Sequence, residues 1–280
     1  MLFDMHTHTA FSVDSEEPLE NMLAAAEKKG LYALTVTDHC EAERFYSAAH
    51  YGKTKSDFEF DVYDYRDCFY ASVSAVSAMK KTYGGKVRLF CGVELGEPLY
   101  DMEATTEILA NDNLDFVIAS LHELENFDDF AFLDYNKYNI DELLYKYFLE
   151  IYRICKWAKF DSLAHLTYTL RYIEGKFGCK PDMSKYNEII REALAALAQN
   201  GKALEINTSG LRQKYGKTCP SLEYVKMFRE LGGEIITVGS DAHNVGCLAS
   251  GLGDGMALAA EAGFRYTAYY EKRKPVMVKI

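Results

Sequence analysis

No run in this chain approaches the ~20 consecutive apolar residues that a bilayer span requires, so no membrane-embedded segment is expected. Proline is scarce, at 5 of 280 residues, and no Pro/Ser-rich linker, low-complexity tract or internal repeat divides the sequence. One domain over 1–280 is therefore expected, near the upper size for a single core. A basic excess is also lacking. The formal charge of −11 argues against a general binder of nucleic acid or of anionic membranes.

Cysteine pairing is absent too. Cys40, Cys68, Cys91, Cys155, Cys179, Cys219 and Cys247 are scattered, odd in number and never in a C-x-x-C pair. That pattern fits reduced thiols rather than a disulfide or zinc-ribbon framework. The start of the chain carries Asp4 and no basic stretch leading into an apolar run, so no secretory leader is expected. Together these readings place the protein in the cytoplasm.

What is present is a 49% apolar content, enough for a substantial core, arranged as alternating short apolar runs and amphipathic stretches. "LFDM" leads to "PLENMLAAAEKKG", where Pro18 opens and Gly30 closes a helix with Leu19, Met22, Leu23 and Ala26 on one face. "YALTVT", a helix near 62–83, "VRLFCGVEL", a helix near 102–111 and "DFVIAS" follow. Residues 140–158 carry Leu143, Leu144, Tyr147, Phe148, Ile151 and Ile154 at helical spacing, then "DSLAHL". "NEIIREALAALAQNG", "ALEIN", "SLEYVKMFRELGG" and "EIITVGS" repeat the unit, and a last helix leads to "YTAYY". Seven such strand–helix units, with short apolar strands, predict a parallel α/β barrel with both faces of its sheet covered.

Six of the seven histidines fall at or just after the end of a predicted strand: His6, His8, His39, His122, His165 and His243. Asp14, Glu94 and Asp241 join them. Strand C-termini of a parallel barrel converge on one face, so these nine side chains are expected to meet in one mouth. Within it, His6 and His8 in extended chain point to the same side, about 7 Å apart, and Asp241 and His243 repeat the spacing. Imidazole with carboxylate suits zinc, manganese or iron, and the lack of cysteine in the set argues against a closed structural zinc site. His50 fits no such position.

In order, "HTHTAFSVDS", "TDH", "GVELG", "SLH", "AHL" and "GSDAH" resemble the PHP (polymerase and histidinol phosphatase) superfamily across essentially the whole chain. "DSLAHLTYTLRY" and "ALEINTSGLR" look like the corresponding stretches of its histidinol-phosphate phosphatases. The resemblance implies a distorted TIM-like (β/α)7 barrel with a metal cluster at the C-terminal face of its strands. It implies that His6, His8, Glu94 and Asp241 bind one divalent ion, and that Asp14, His39 and His243 bind a second. Glu94 would bridge to a third, completed by His122 and His165. Two to three ions, zinc, iron or manganese, are thus expected, with Asp14 standing where some members have histidine. That harder oxygen ligand leans the site away from copper.

By the same resemblance the protein is a phosphomonoesterase acting on L-histidinol phosphate in histidine biosynthesis. In-line attack by a metal-bound hydroxide is the expected step, with Asp241, His243 and Glu94 at the reacting centre. Three divalent ions against three carboxylates would leave about three positive charges to draw in a phosphate dianion. His243 and Asp38 are candidates to protonate the leaving group. Arg171 and Arg212, in the two narrower stretches, are candidates for bidentate contact with phosphate oxygens.

An acidic and aromatic rim would complement the ammonium and imidazole of histidinol. Residues 41–64 supply Glu41, Glu43, Asp57, Glu59, Asp61 and Asp64 with Phe45, Tyr46 and Tyr51, and the stretch after His122 supplies Glu123, Glu125, Asp128 and Asp129. The partner expected is a small phosphate ester, neither nucleic acid nor membrane. Alternatives are another small phosphomonoester, a nucleotide or oligonucleotide substrate, and a non-catalytic metal-binding module. An oligonucleotide enzyme calls for a basic track with stacking aromatics, which the charge balance disfavours.

Overall fold

A computed structural model describes residues 1–52 and 64–280. Asp57, Glu59 and Asp61 of the expected acidic rim lie outside the described residues. Seven parallel strands make the barrel in the order β1 (Phe3–Thr7), β2 (Ala33–Val36), β4 (Arg88–Gly96), β5 (Phe116–Ser120), β6 (Ser162–Leu163), β7 (Ala203–Asn207) and β8 (Ile236–Gly239). A short β3 (His39–Glu41) continues β2 along the far half of β4. Closure comes from the segment after β8. There the Asp241 N–H donates to His6 O and the His8 N–H to Ala242 O, both at 2.8 Å, beside a parallel bridge between Thr7 and Ala242.

The barrel is distorted where sequence would not place the distortion. β6 pairs over two residues only. Between β2 and β3 the chain breaks pairing at Thr37 and Asp38, where a Cβ on Gly92 would lie 2.9 Å from the Thr37 methyl and 3.0 Å from Val36 O. Only glycine lets β4 pass that break.

The helices bury the faces that the spacing predicts. In α1 (Leu19–Lys28) Leu19, Met22, Leu23 and Ala26 are buried, and the chain leaves the helix through Gly30 at φ +70°. Asp64 caps α2 (Tyr65–Thr82) and Asp101 caps α3 (Met102–Leu109). Asn139 caps α4 (Ile140–Trp157), accepting from the N–H groups of Asp141 and Glu142. Its Leu143, Leu144, Tyr147, Phe148, Ile151 and Ile154 are all buried. The short α5 (Leu170–Ile173), α6 (Asn187–Gln199), α7 (Leu222–Glu230) and α8 (Leu252–Glu261) complete the outer layer.

"YTAYY" does not enter the barrel. It forms β9 (Tyr266–Glu271), antiparallel to β10 (Lys274–Lys279), which the sequence pattern did not reveal. This hairpin lies at the strand N-termini, where Ala268, Tyr269 and Tyr270 cluster with Phe3, Met5, Phe90 and Phe116 inside the barrel. Tyr269 stacks on Phe90 at 5.4 Å and meets Phe3 edge-on at 5.7 Å, and its hydroxyl accepts from Arg88 at 2.8 Å. The interior is therefore apolar at this end and polar at the other. Tyr269→Ala is expected to lower stability by ~3–5 kcal/mol in urea unfolding. A loss below about 1 kcal/mol would mean that the hairpin does not plug the barrel.

Candidate metal centre

A β-bulge aims the first histidines. Phe3 pairs with Ala33 and Asp4 with Leu34, but Thr7 pairs with Val36, so β1 carries one residue more than its partner. Phe3 and Met5 face the interior. Strict alternation would then send His6 and His8 outward against the helices. The extra residue reverses the faces, and His6 reaches Glu94 and Glu205 inside the barrel. Elsewhere plain alternation suffices. Phe90 and Glu94 share the inner face of β4, as Ala203, Glu205 and Asn207 do on β7.

Glu94 lies at the centre, 1% exposed. Its Oε2 is 2.9 Å from His6 Nε2, 3.3 Å from His8 Nε2 and 3.4 Å from His39 Nδ1. Its Oε1 is 2.9 Å from His165 Nε2 and 3.1 Å from His122 Nε2. Asp241 Oδ1 lies 3.5 Å from His8 Nε2 and 3.8 Å from His6 Nε2. Asp14 Oδ2 is 2.9 Å from His243 Nε2 and 3.7 Å from His39 Nε2. All nine residues expected at the site are thus brought together. His50 is not among them; it packs on Tyr46 at 4.5 Å and Tyr51 at 4.9 Å between ring centroids.

Four overlapping groups have donor atoms within 4.8 Å of one another: His8 with Asp14, His39 and His243; His6 with His8 and Asp241; His6 with Glu94 and His165; and His39 with Glu41 and His122. Two differences from the expected sets stand out. His8 sits with the Asp14 group as well as with His6, its ring stacked on His39 at 4.5 Å and on His243 at 4.1 Å. Glu41 joins the cluster, its Oε1 3.1 Å from His39 Nδ1 and 3.4 Å from His122 Nδ1. The i, i+2 spacing that flags His6 and His8 also holds for His39 and Glu41, and was a usable signal.

The arrangement fits divalent cations. His8 Nε2 and His243 Nε2 are buried within reach of carboxylate oxygens yet aligned with none for a hydrogen bond. That is how two ligands face a shared cation rather than each other. Three Nδ1 atoms point outward to acceptors. His6 Nδ1 meets Glu205 Oε1 at 2.7 Å, His8 Nδ1 meets Ser12 Oγ at 2.9 Å, and His243 Nδ1 meets Asp241 O at 3.2 Å. Ser12 Oγ in turn donates to Asp38 Oδ1 at 3.1 Å, so it accepts from His8. Outer partners of this kind fix a tautomer with the inner nitrogen free.

Asp38 itself lies behind the cluster. Its oxygens accept from Thr9 N and Oγ1, Ser12 Oγ and Ser72 Oγ, which removes it as a proton donor to a leaving group. His243 does face the cavity.

Carboxylates dominate the electrostatics. Burial works against a charged His39, but Glu94, Asp14 and Glu41 outweigh it and raise the ring to about 10. Burial likewise opposes ionisation of Glu41, and His39 and His122 overcome it and lower Glu41 to about 2. His165 goes the other way, since burial outweighs the hydrogen bond to Glu94 and lowers it to about 4.

The cluster floors a cavity of about 740 Å³. Arg171 and Arg212 are part of its lining. Arg171 Nη2 donates to Asn207 Oδ1 and to Asp241 Oδ2, both at 3.0 Å. Arg212 donates through Nη1 to Ser240 O and through Nη2 to Asp241 O, both at 2.6 Å, leaving each nitrogen a further N–H. The lining also holds Glu43, Glu123, Glu125, Asp128 and Asp129, with Tyr51, Tyr65 and Tyr100, and Arg44 paired to Glu43 and Glu123. Burial pushes Glu123 up to about 7, against Arg44 and with the push of Asp129. Phe45, expected at this rim, is instead fully buried in the core, and the Tyr46 hydroxyl donates to Glu107 at 3.1 Å.

The sequence profile of the PHP domain matches residues 4–209. A probable histidinol-phosphatase of Thermotoga maritima is 28% identical over 280 residues, all of both chains. A histidinol-phosphatase of Lactococcus lactis is 28% identical over 243 residues, 86% of this chain and 83% of its own. Among solved structures, histidinol phosphate phosphatase of L. lactis, complexed with zinc, L-histidinol and phosphate, superposes with a TM-score of 0.76. It is 25% identical, over 98% of each chain.

Cations bind neutral imidazole. With His39 raised from 6.5 to about 10, uptake at pH 7 must displace a proton from that ring. The same raised value stabilises the chelated fold fully below pH 6.5, and that contribution disappears as pH climbs through about 10. Calorimetric titration of chelated protein with Zn²⁺, in buffers of different ionisation enthalpy, is expected to show net proton release at pH 7. Uptake without proton release would contradict these electrostatics.

Proposed function

The chain belongs to the PHP domain family, and on that premise we propose that it hydrolyses L-histidinol phosphate to L-histidinol and phosphate, as a metal-dependent phosphomonoesterase of one domain over 1–280. The observation that carries this reading is the lining of the cavity. Six histidines and four carboxylates, Glu41 included, meet at its floor, and both arginines and further carboxylates line it. A substrate with a dianionic phosphate and a cationic amino-imidazole end matches that polarity. The name and bound molecules of the L. lactis neighbour support the same substrate.

His6, His8, Glu94 and Asp241 would hold one ion, Asp14, His39 and His243 a second, and Glu94, His122 and His165 a third. Bound divalent cations supply the positive charge that makes water acidic and neutralises phosphate oxygens. Zinc, iron and manganese all accept this nitrogen and oxygen donor set. Arg171 and Arg212 orient phosphate oxygens through the N–H groups that Asp241, Asn207 and the carbonyls leave over. His243, 26% exposed in its side chain, would serve the second ion rather than pass a proton to the departing alkoxide, since its Nδ1 already meets Asp241 O. Glu43, Glu123 and Asp129 receive the ammonium and imidazole. Among the described residues no helix is long and apolar enough to cross a membrane, and a cytoplasmic setting is part of the proposal.

Phosphate release from L-histidinol phosphate, a nucleoside monophosphate, a short oligonucleotide and p-nitrophenyl phosphate tests the reading, after chelation and after return of Zn²⁺, Mn²⁺ or Fe²⁺. A metal-dependent preference of at least about 100-fold for histidinol phosphate, ~3 kcal/mol of discrimination, is expected. Equal weak rates would remove the substrate and leave the phosphatase. His8→Ala and Asp241→Ala are each expected to lose more than about 1,000-fold in rate, ~4 kcal/mol, with reduced metal content and an unchanged circular dichroism spectrum. A wild-type rate in either would refute the ligand assignment.

A further inference from the structure

Glu205 belongs to none of the cation groups, yet it is fully buried beside them. Its Oε1 lies 2.7 Å from His6 Nδ1, and its Oε2 accepts from the backbone N–H of His165 at 2.8 Å and from Asn207 Nδ2 at 3.2 Å. The contacts reach two other strands: His6 lies on β1, on the far side of β8 from β7, and His165 lies two residues beyond β6, the neighbour of β7 on its other side. Because β6 pairs over only two residues, the sheet ladder does not extend to His165. Glu205 holds that backbone instead. The His165 Nδ1 has no hydrogen-bond partner, so beyond the contact of Nε2 with Glu94 its ring depends on the backbone position and on packing against Tyr168 at 4.9 Å.

We propose that Glu205 is a positioning residue for the metal centre. It fixes His6 as the tautomer with the proton on Nδ1 and Nε2 open, and it sets the placement of His165, so that two of the three members of the His6, Glu94 and His165 group hang on one carboxylate. This rests on the reading of those histidines as ligands. The neighbourhood is built for the contact. A Cβ on Gly239, in "GSDAH", would lie 2.4 Å from His6 Cβ and 2.6 Å from Glu205 Oε1, so glycine alone admits the pair. A carboxylate is needed as well as the right volume, because a glutamine offers one carbonyl oxygen where Glu205 accepts with both.

Glu205→Gln is the test, with Zn²⁺ alone as probe and chelator competition as the readout. Loss of such an outer partner is expected to weaken binding by about 10- to 100-fold. The weakened ions should be those of the Glu94 group, while the Asp14 group keeps its own. The rise in melting temperature on adding Zn²⁺ should shrink in the variant. A purely structural role would instead lower the melting temperatures of zinc-free and zinc-loaded protein equally and leave the affinity within about twofold of wild type, and that result overturns the proposal. Should the variant not fold, the wild-type protein decides it. Histidine ¹⁵N spectra of the Zn²⁺-loaded chain should show His6 protonated at Nδ1, and a proton on Nε2 would overturn the assignment. Absence of Zn²⁺ binding by the wild type would instead sink the ligand reading itself.

Discussion

One buried carboxylate organises this molecule. Glu94 is 1% exposed and lies at the centre of a ring of imidazoles from His6, His8, His39, His122 and His165. An ionised carboxylate in an apolar interior is prohibitively costly unless paired. Burial pushes Glu94 toward neutrality, but His6, His39 and His122 together hold it well below the usual carboxylate range. The partners arrive from four places around the sheet, at β1, β3, β5 and β6, so the charge can be satisfied only when these strands are assembled. The apolar half of the interior has no such requirement. It is filled by Phe3, Phe90, Phe116 and the hairpin tyrosines, and the division of labour between the two ends leaves the polar end open to solvent.

Asp241 shows what holding the opposite side of that ring demands. Its backbone sits at φ +53°, in the left-handed region that a side chain adopts only under constraint. The constraints are visible on every side. Asp4 accepts from Ser240 N and Oγ, His6 O accepts from Asp241 N, and Arg212 donates to the carbonyls of Ser240 and Asp241. Arg171, Asn207 and Ser209 all donate to Asp241 Oδ2, leaving Oδ1 for His6 and His8. The two arginines therefore serve the protein before they serve any ligand. A guanidinium is suited to this double duty, because its planar fork carries five N–H donors.

The barrel and the nine converging side chains were legible in the sequence for one reason. Short apolar strands end abruptly, and polar residues that follow a parallel strand land on a common face. What stayed hidden depends on register rather than on pattern. The bulge between Asp4 and Thr7 is invisible in "LFDMHTH", where alternation counted from Phe3 would turn both histidines outward. Glu205 reads as one polar residue in the apolar strand "ALEIN", and only the ring of β1 beside it reveals its use. Phe45 was read as rim because its neighbours are polar, whereas the turn that follows β3 tucks it beneath Tyr46 and Phe69. The hairpin escaped notice because β10, "KPVMVK", is charged, carries a proline and is largely exposed.

Charge resolves how an acidic chain can accept a phosphate ester. Around the cavity the formal negative charge of Glu43, Glu123, Glu125, Asp128 and Asp129 would repel a dianion if it stood alone. Arg44 offsets part of it by pairing with Glu43 and Glu123, and burial raises Glu123 to about 7 and Glu97 to about 8, the latter against the pull of His122. Raised values of this kind mean that the acidic wall gains by meeting a cation, since each carboxyl then ionises with a partner instead of holding a proton. The histidines and arginines gain by meeting an anion or by sharing cations with the carboxylates. On the proposed reading a substrate carrying both charges would meet Arg171 through its phosphate and Glu123 through its cationic end, and reversal would set like charges together.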